Sequence, residues 1–126
     1  MNIKHILLSF SLLVSIAFVS CEKNSTYKPK GEIIKVEYHI YCESESAFVH
    51  YLYPQNGKMT MIDSEQNKSF HIISFETTAG QYFSIEAANK RAGRKEISVQ
   101  VFINGVLLDE ATSYEPTIKA IASGNF

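Results

Sequence analysis

The sequence predicts an all-β domain, an immunoglobulin-like antiparallel β-sandwich of seven to eight strands. From residue 31 onward, apolar and polar side chains alternate with a period of two, and no segment carries a helical stripe. The pairs Asn56-Gly57 and Asn104-Gly105 are typical of two-residue hairpin turns, because both residues tolerate positive φ. Most strands have one apolar face and one polar face, which favours a sandwich over a barrel.

The predicted strands follow one another at the spacing expected of such a sandwich. They span residues 34–40, 47–53, 58–63, 69–77, 82–88, 95–103, 106–113 and 118–122. In the first strand, Ile34, Val36, Tyr38 and Ile40 form the apolar face. The second strand is apolar or aromatic on both faces, so we expect it to lie inside a sheet.

Composition limits the function classes. A chain of 126 residues with a formal net charge of −1 suits one domain and lacks the clustered basic excess of a nucleic-acid-binding protein. Two cysteines are too few for a disulfide scaffold.

The first twenty residues form a predicted signal peptide. Lys4 precedes an apolar run from Ile6 to Val19, which is too short to span a bilayer of about 30 Å. Cys21 follows Ser20 directly, and this arrangement resembles the lipobox of bacterial lipoproteins, in the relaxed form of Bacteroidota-type bacteria. The resemblance implies that Cys21 is lipidated and holds the protein in the cell envelope, at the outer membrane. An ordinary cleaved signal and an uncleaved anchor are the alternatives.

The domain boundaries follow from this interpretation. Residues 1–20 are the signal peptide, residues 21–30 are the lipidated cysteine and a polar tether, and residues 31–126 are the sandwich.

Four segments carry a family resemblance. They are the first two strands with the turn at residues 54–57, and residues 83–89, 97–106 and 120–124. Together they resemble the small extracytoplasmic β-sandwich of the MmpS family (mycobacterial membrane protein, small). The resemblance implies an accessory role beside a large lipid or siderophore exporter. The chain departs from the family in lacking its Leu-Pro-Trp segment, and a lipoprotein signal replaces the family's transmembrane anchor.

No catalytic constellation, cofactor motif or metal-ligand spacing is present in the sequence. His39 and His50 are expected to be neighbours on a hairpin, but no His-x-His or Cys-x-x-Cys pattern accompanies them. Cys42, beside Glu43, is interpreted as a structural residue at a strand end. The basic turn at residues 90–95 is interpreted as a solvated hairpin, with contact to anionic headgroups as the alternative.

The remaining candidate site is a surface. If Val49 faces the core, then Phe48, His50 and Leu52 face outward, and Phe102 likewise opposes Val99. An apolar patch on an outer sheet face would mark a partner surface. The sequence thus predicts a membrane-anchored, non-catalytic domain that binds an envelope protein or polymer and no nucleic acid. The alternative is a small-molecule or lipid carrier.

Overall fold

A computed structural model of the protein describes residues 31–91, 93–115 and 119–126. The described residues form eight antiparallel strands in two four-stranded sheets, which is the predicted sandwich. The strands are β1 (Ile33–Cys42), β2 (Ala47–Gln55), β3 (Lys58–Gln66), β4 (Phe70–Thr78), β5 (Tyr82–Asn89), β6 (Ile97–Ile103), β7 (Val106–Ser113) and β8 (Ala120–Asn125).

The first sheet, sheet A, has the strand order β4-β1-β6-β7, and the second, sheet B, has the order β3-β2-β5-β8. Because β1 and β4 pair in sheet A while β2 and β5 pair in sheet B, the chain crosses between the sheets repeatedly. This interlocking of non-consecutive strands is typical of Greek-key sandwiches. β2 lies between β3 and β5, which confirms its predicted position inside a sheet.

The core lies between the two sheets and is built by the inward side of each alternating strand. Its fully buried members include Ile34, Val36 and Tyr38 from sheet A and Val49 and Ile85 from sheet B. The core also contains an aromatic group: the ring of Tyr38 packs edge-on against Tyr51 and Phe75, with centroids 6.1 and 5.2 Å apart. The contact with Tyr51 joins the two sheets, and the contact with Phe75 lies within sheet A.

Two predictions about the strands need correction. β1 and β2 do not form a hairpin, since residues 43–46 carry the chain from sheet A to sheet B. The last strand begins at Ala120 and ends at Asn125, two to three residues later than the predicted 118–122. The predicted signal peptide, Cys21 and the tether lie outside the described residues.

The sandwich has two unlike ends. At the "turn end" lie Gly31 and the tight turns at residues 56–57, 79–80 and 104–105, and the N–H of Gly31 donates to the carbonyl of Ala79. At the opposite "loop end" lie, among the described residues, the links at 43–46, 67–69, 90–91, 93–96, 114–115 and 119. The chain therefore enters the domain at the turn end.

Candidate functional site

The four residues predicted as a partner surface do not lie together. Phe48, His50 and Leu52 are on β2, on the outer face of sheet B, whereas Phe102 is on β6, on the outer face of sheet A. The two outer faces point away from each other, so a single patch formed by all four residues is ruled out. The period-two pattern gave the outward direction of each side chain correctly, but not the sheet to which its strand belongs.

The outer face of sheet A carries an aromatic cluster around His39. The His39 ring lies over Phe102, with centroids 4.4 Å apart and planes at 36°, and meets the edge of Phe70 at 5.7 Å. Ile72 lies directly opposite His39 on β4, and Tyr41 lies opposite Phe70. We call these five residues the aromatic face. Tyr41, Phe70 and Ile72 are exposed to solvent, and a contiguous apolar surface of this kind is a feature of binding sites.

A polar border flanks the aromatic face toward the turn end. The Nε2 atom of His39 lies 2.8 Å from a carboxylate oxygen of Glu37, and Nζ of Lys35 lies 3.2 Å from the other oxygen. The hydrogen bond with His39 and then that with Lys35 lower the pKa of Glu37 below its ordinary value. The bond to Glu37 also fixes the orientation of the imidazole against Phe102.

The outer face of sheet B is organised differently, because ion pairs cover it. Nζ of Lys90 lies 2.8 Å from a carboxylate oxygen of Glu65 and 5.0 Å from the centroid of the Phe48 ring. His50 pairs with Asp63 on β3. Charged side chains therefore lie beside Phe48 and His50 on this face, where Met61 and Ile121 are exposed as well.

The histidines do not assemble a metal site. His39 and His50 lie on opposite outer faces, which corrects the expectation that they are neighbours. His71 is paired with Ile40 and lies on the inward phase of β4, away from both. Among the residues that the structure describes, no group of three or more His, Cys, Asp or Glu is placed to hold a metal ion.

Cys42 is the last residue of β1 and is fully buried. Its sulfur lies 3.4 Å from the side-chain oxygen of Asn89 and 3.2 Å from the hydroxyl of Ser44. The Asn89 amide donates in turn to the carbonyl of Lys95. The thiol is therefore part of a small polar network that ties β1, β5 and the loop before β6 together.

The Tyr38 hydroxyl joins the two sheets at a gap in sheet B. The β2–β5 ladder ends at the pair Tyr51 and Ile85, so the next two residues, Leu52 and Ser84, are not bonded to each other. The Tyr38 hydroxyl donates to the carbonyl of Leu52 at 2.9 Å and accepts a hydrogen bond from the backbone of Ser84. Burial raises the pKa of Tyr38 well above its ordinary value, against the opposing effect of the Ser84 bond. Sequence reasoning identified Tyr38 as a core residue but carried no signal for this bridge.

The basic turn lies at the loop end, and carboxylates surround it. In addition to the Lys90–Glu65 pair, Arg94 lies 2.6 Å from an oxygen of Glu115, and Lys95 lies 3.8 Å from Glu43. These pairs favour the interpretation as a solvated loop over the alternative of a headgroup contact, because three of its cations already have anionic partners.

A shallow cavity of about 230 Å³ opens at the turn end, between the β2–β3 turn and the β4–β5 turn. Met59, Thr77 and Gln81 are among its lining residues, and the Thr77 hydroxyl lies 3.7 Å from the Met59 sulfur. Its volume is below the roughly 300–1,000 Å³ usual for pockets that hold drug-sized ligands.

No protein-family model matches the chain, and no curated protein matches its sequence. Within the described ranges, no helix has the length and apolar character needed to cross a membrane.

Proposed function

We propose that the protein is a lipid-anchored lipoprotein of a bacterial cell envelope, at the outer membrane, whose β-sandwich is a non-catalytic binding domain. The observation that carries the binding role is the aromatic face, centred on His39 between Phe70 and Phe102. The observation that carries the anchor is Cys21 directly after an apolar signal segment.

The aromatic face supports binding because it combines accessible apolar area with a rigid backbone. Its residues lie on β4, β1 and β6, three neighbouring strands of one sheet, so their spacing is fixed by the hydrogen-bonded ladder. Rigid aromatic side chains lose little conformational entropy on binding and are enriched in protein interfaces. The resemblance to the MmpS family makes an exporter of the envelope a candidate partner.

The carrier alternative rests on the cavity at the turn end. A carrier needs a volume that encloses its ligand, and the cavity of about 230 Å³ is open and small for that purpose. The aromatic face therefore favours surface binding over carriage.

Photocrosslinking in native membranes tests the binding role. A photoreactive amino acid replaces Ile72 on the aromatic face or, as the matched control, Ile121 on the outer face of sheet B. The two residues are similarly exposed: the exposed fraction is 43% for Ile72 and 49% for Ile121. We expect a discrete crosslinked product from position 72 that Phe70→Ser abolishes, and none from position 121. Equal crosslinking from the two positions, or no product from position 72, would refute a binding role for the aromatic face.

A further inference from the structure

The turn end of the sandwich has fewer charged residues than the loop end, and it carries exposed aliphatic side chains. The turns at residues 55–58, 78–81 and 103–106 contain one charged residue, Lys58, whereas the loop at residues 90–96 alone contains five. Glu32, Lys35 and Glu76 lie beside these turns, so the charges at this end balance. Beside these turns, Ile33, Val106 and Leu107 are exposed by 69%, 50% and 44%. An exposed aliphatic group at a charge-poor end of a domain is a feature of membrane-contacting surfaces.

Val106 and Leu107 belong to a rigid hairpin, formed by β6 and β7, and Ile33 lies on β1. Asn104 and Gly105 both have positive φ, as a type I′ hairpin turn requires. The N–H of Asn104 donates to the carbonyl of Lys35, and the N–H of Lys35 donates to the Asn104 side chain at 2.9 Å. These two bonds fasten the β6–β7 turn to β1, so the hairpin holds its tip residues in a fixed position.

A β-bulge brings a further apolar side chain to the same place. Phe102 pairs with Leu107 and Val101 with Asp109, which leaves Leu108 as the extra residue of β7. A bulge redirects the side chains beside it and often marks a functional edge. Leu108 is exposed as well, so three consecutive apolar residues of an edge strand are open to solvent.

We propose that this hairpin enters the lipid interface of the membrane to which the protein is anchored, with Val106 and Leu107 as its inserting residues. The inference rests on the proposed lipid anchor at Cys21. The chain enters the sandwich at Gly31, which is bonded to the β4–β5 turn at the turn end. Nine residues lie between Cys21 and Gly31, so ten Cα–Cα steps hold the turn end within at most about 35 Å of the lipidated cysteine.

The distribution of charge predicts how the domain is oriented on the membrane and which lipids it contacts. We expect the turn end to face the bilayer and the more highly charged loop end to face away from it. At the turn end Lys35 and Lys58 are balanced by Glu32 and Glu76, so this end has no net basic charge. We therefore expect insertion to depend on apolar contact and not to require anionic lipid.

Tryptophan fluorescence tests the insertion, because the chain has no tryptophan of its own. The full lipidated chain carrying Leu107→Trp is reconstituted in vesicles of zwitterionic phosphatidylcholine and phosphatidylethanolamine, with or without brominated acyl chains. Ile121→Trp, of similar exposure but on the outer face of sheet B, is the control. Val106→Trp gives an independent second probe of the hairpin.

We expect the two hairpin variants to shift to shorter wavelength in vesicles and to lose most of their emission to brominated lipid, with the control unaffected. If the protein floats with the vesicles but no hairpin variant is quenched, the insertion is refuted and the anchor stands. Equal quenching of the control refutes the orientation. If the lipid-processed chain does not float with vesicles, the anchor fails and the inference fails with it.

Discussion

Replacing Tyr38 with phenylalanine removes one oxygen atom and should weaken the contact between the two sheets. That oxygen occupies the gap where Leu52 and Ser84 would otherwise bond to each other. It donates a hydrogen bond to the carbonyl of Leu52 and accepts one from the backbone of Ser84. The ring stays in place, since its edge contacts with Tyr51 and Phe75 do not need the hydroxyl. The substitution therefore isolates the polar bridge.

The cost follows from what Tyr38→Phe leaves unpaired. A typical intramolecular hydrogen bond contributes about 1 kcal/mol net, and a buried group left without a partner costs about 1–3 kcal/mol. Ser84 is buried, while Leu52 is half-buried and partly regains water. We expect a loss of roughly 2 kcal/mol in the free energy of unfolding, which corresponds to a fall in Tm of roughly 8–16 °C in a domain of this size.

Urea and thermal unfolding of Tyr38→Phe measure this loss, with Tyr41→Phe as the control. Tyr41 is on the same strand but points outward and is exposed, so its hydroxyl should contribute less than about 0.5 kcal/mol. If Tyr38→Phe is no less stable than Tyr41→Phe, the bridge does not stabilise the fold and the reasoning is wrong.

The raised pKa of Tyr38 adds a pH dependence with a definite sign. Below pH 10 both folded and unfolded chains keep the phenol proton; above it the unfolded chain loses the proton that the folded chain retains. Stability should therefore fall above pH 10, by about 1.4 kcal/mol per pH unit for this group. Tyr38→Phe should flatten the fall without abolishing it, because burial raises the pKa of Tyr51 too.

Three further predictions concern the strand ends and the aromatic face. A Cβ at Gly124 would lie 3.1 Å from the ring of Phe83, which is buried and stacked on Phe126 and so has little room to move. Gly124→Ala should therefore cost about 1 kcal/mol in urea unfolding, and an unchanged midpoint would contradict the packing. Cys42 is fully buried, so in Cys21→Ser protein a thiol reagent should label it only on unfolding; rapid labelling of folded protein would show that the strand end opens. The lowered pKa of Glu37 means that its ionised carboxylate stabilises the fold, so Glu37→Gln should reduce the free energy of unfolding near pH 7. The difference in stability between Glu37→Gln and wild type should vanish as the pH falls through the pKa of Glu37 in the folded protein. A difference that persists at pH 2 would assign the effect to packing rather than to the bond with His39.

The strands were predictable because local rules determine them. Alternation along β1 places Ile34, Val36, Tyr38 and Ile40 in the core, where the structure has them. The Asn104-Gly105 pair predicts the β6–β7 hairpin, because Asn-Gly favours the two positive φ angles of a type I′ turn, and the structure has both.

The aromatic face was not predicted, because it depends on strand order. Period two tells which side of its own strand a residue occupies, but not which strand lies beside it. Phe102 could be assigned to an outer face, yet its neighbours His39 and Phe70 come from β1 and β4, distant in sequence. The sequence of β4 held one usable signal. Phe70 and Ile72 lie on one face of the strand and Phe75 on the other, so β4 is apolar on both faces and has apolar side chains to contribute to an outer surface.

The chemical state of the mature N-terminus is the most direct test of the proposed lipid anchor at Cys21. Trypsin cleaves after Lys23, so the mass of the peptide that ends at Lys23 distinguishes the three interpretations of the N-terminal segment. We expect this peptide from the native membrane to begin at Cys21, with a diacylglycerol on the cysteine sulfur and an acyl chain on its amine. A mature chain that begins at an unmodified residue, or one that still begins at Met1, would contradict it.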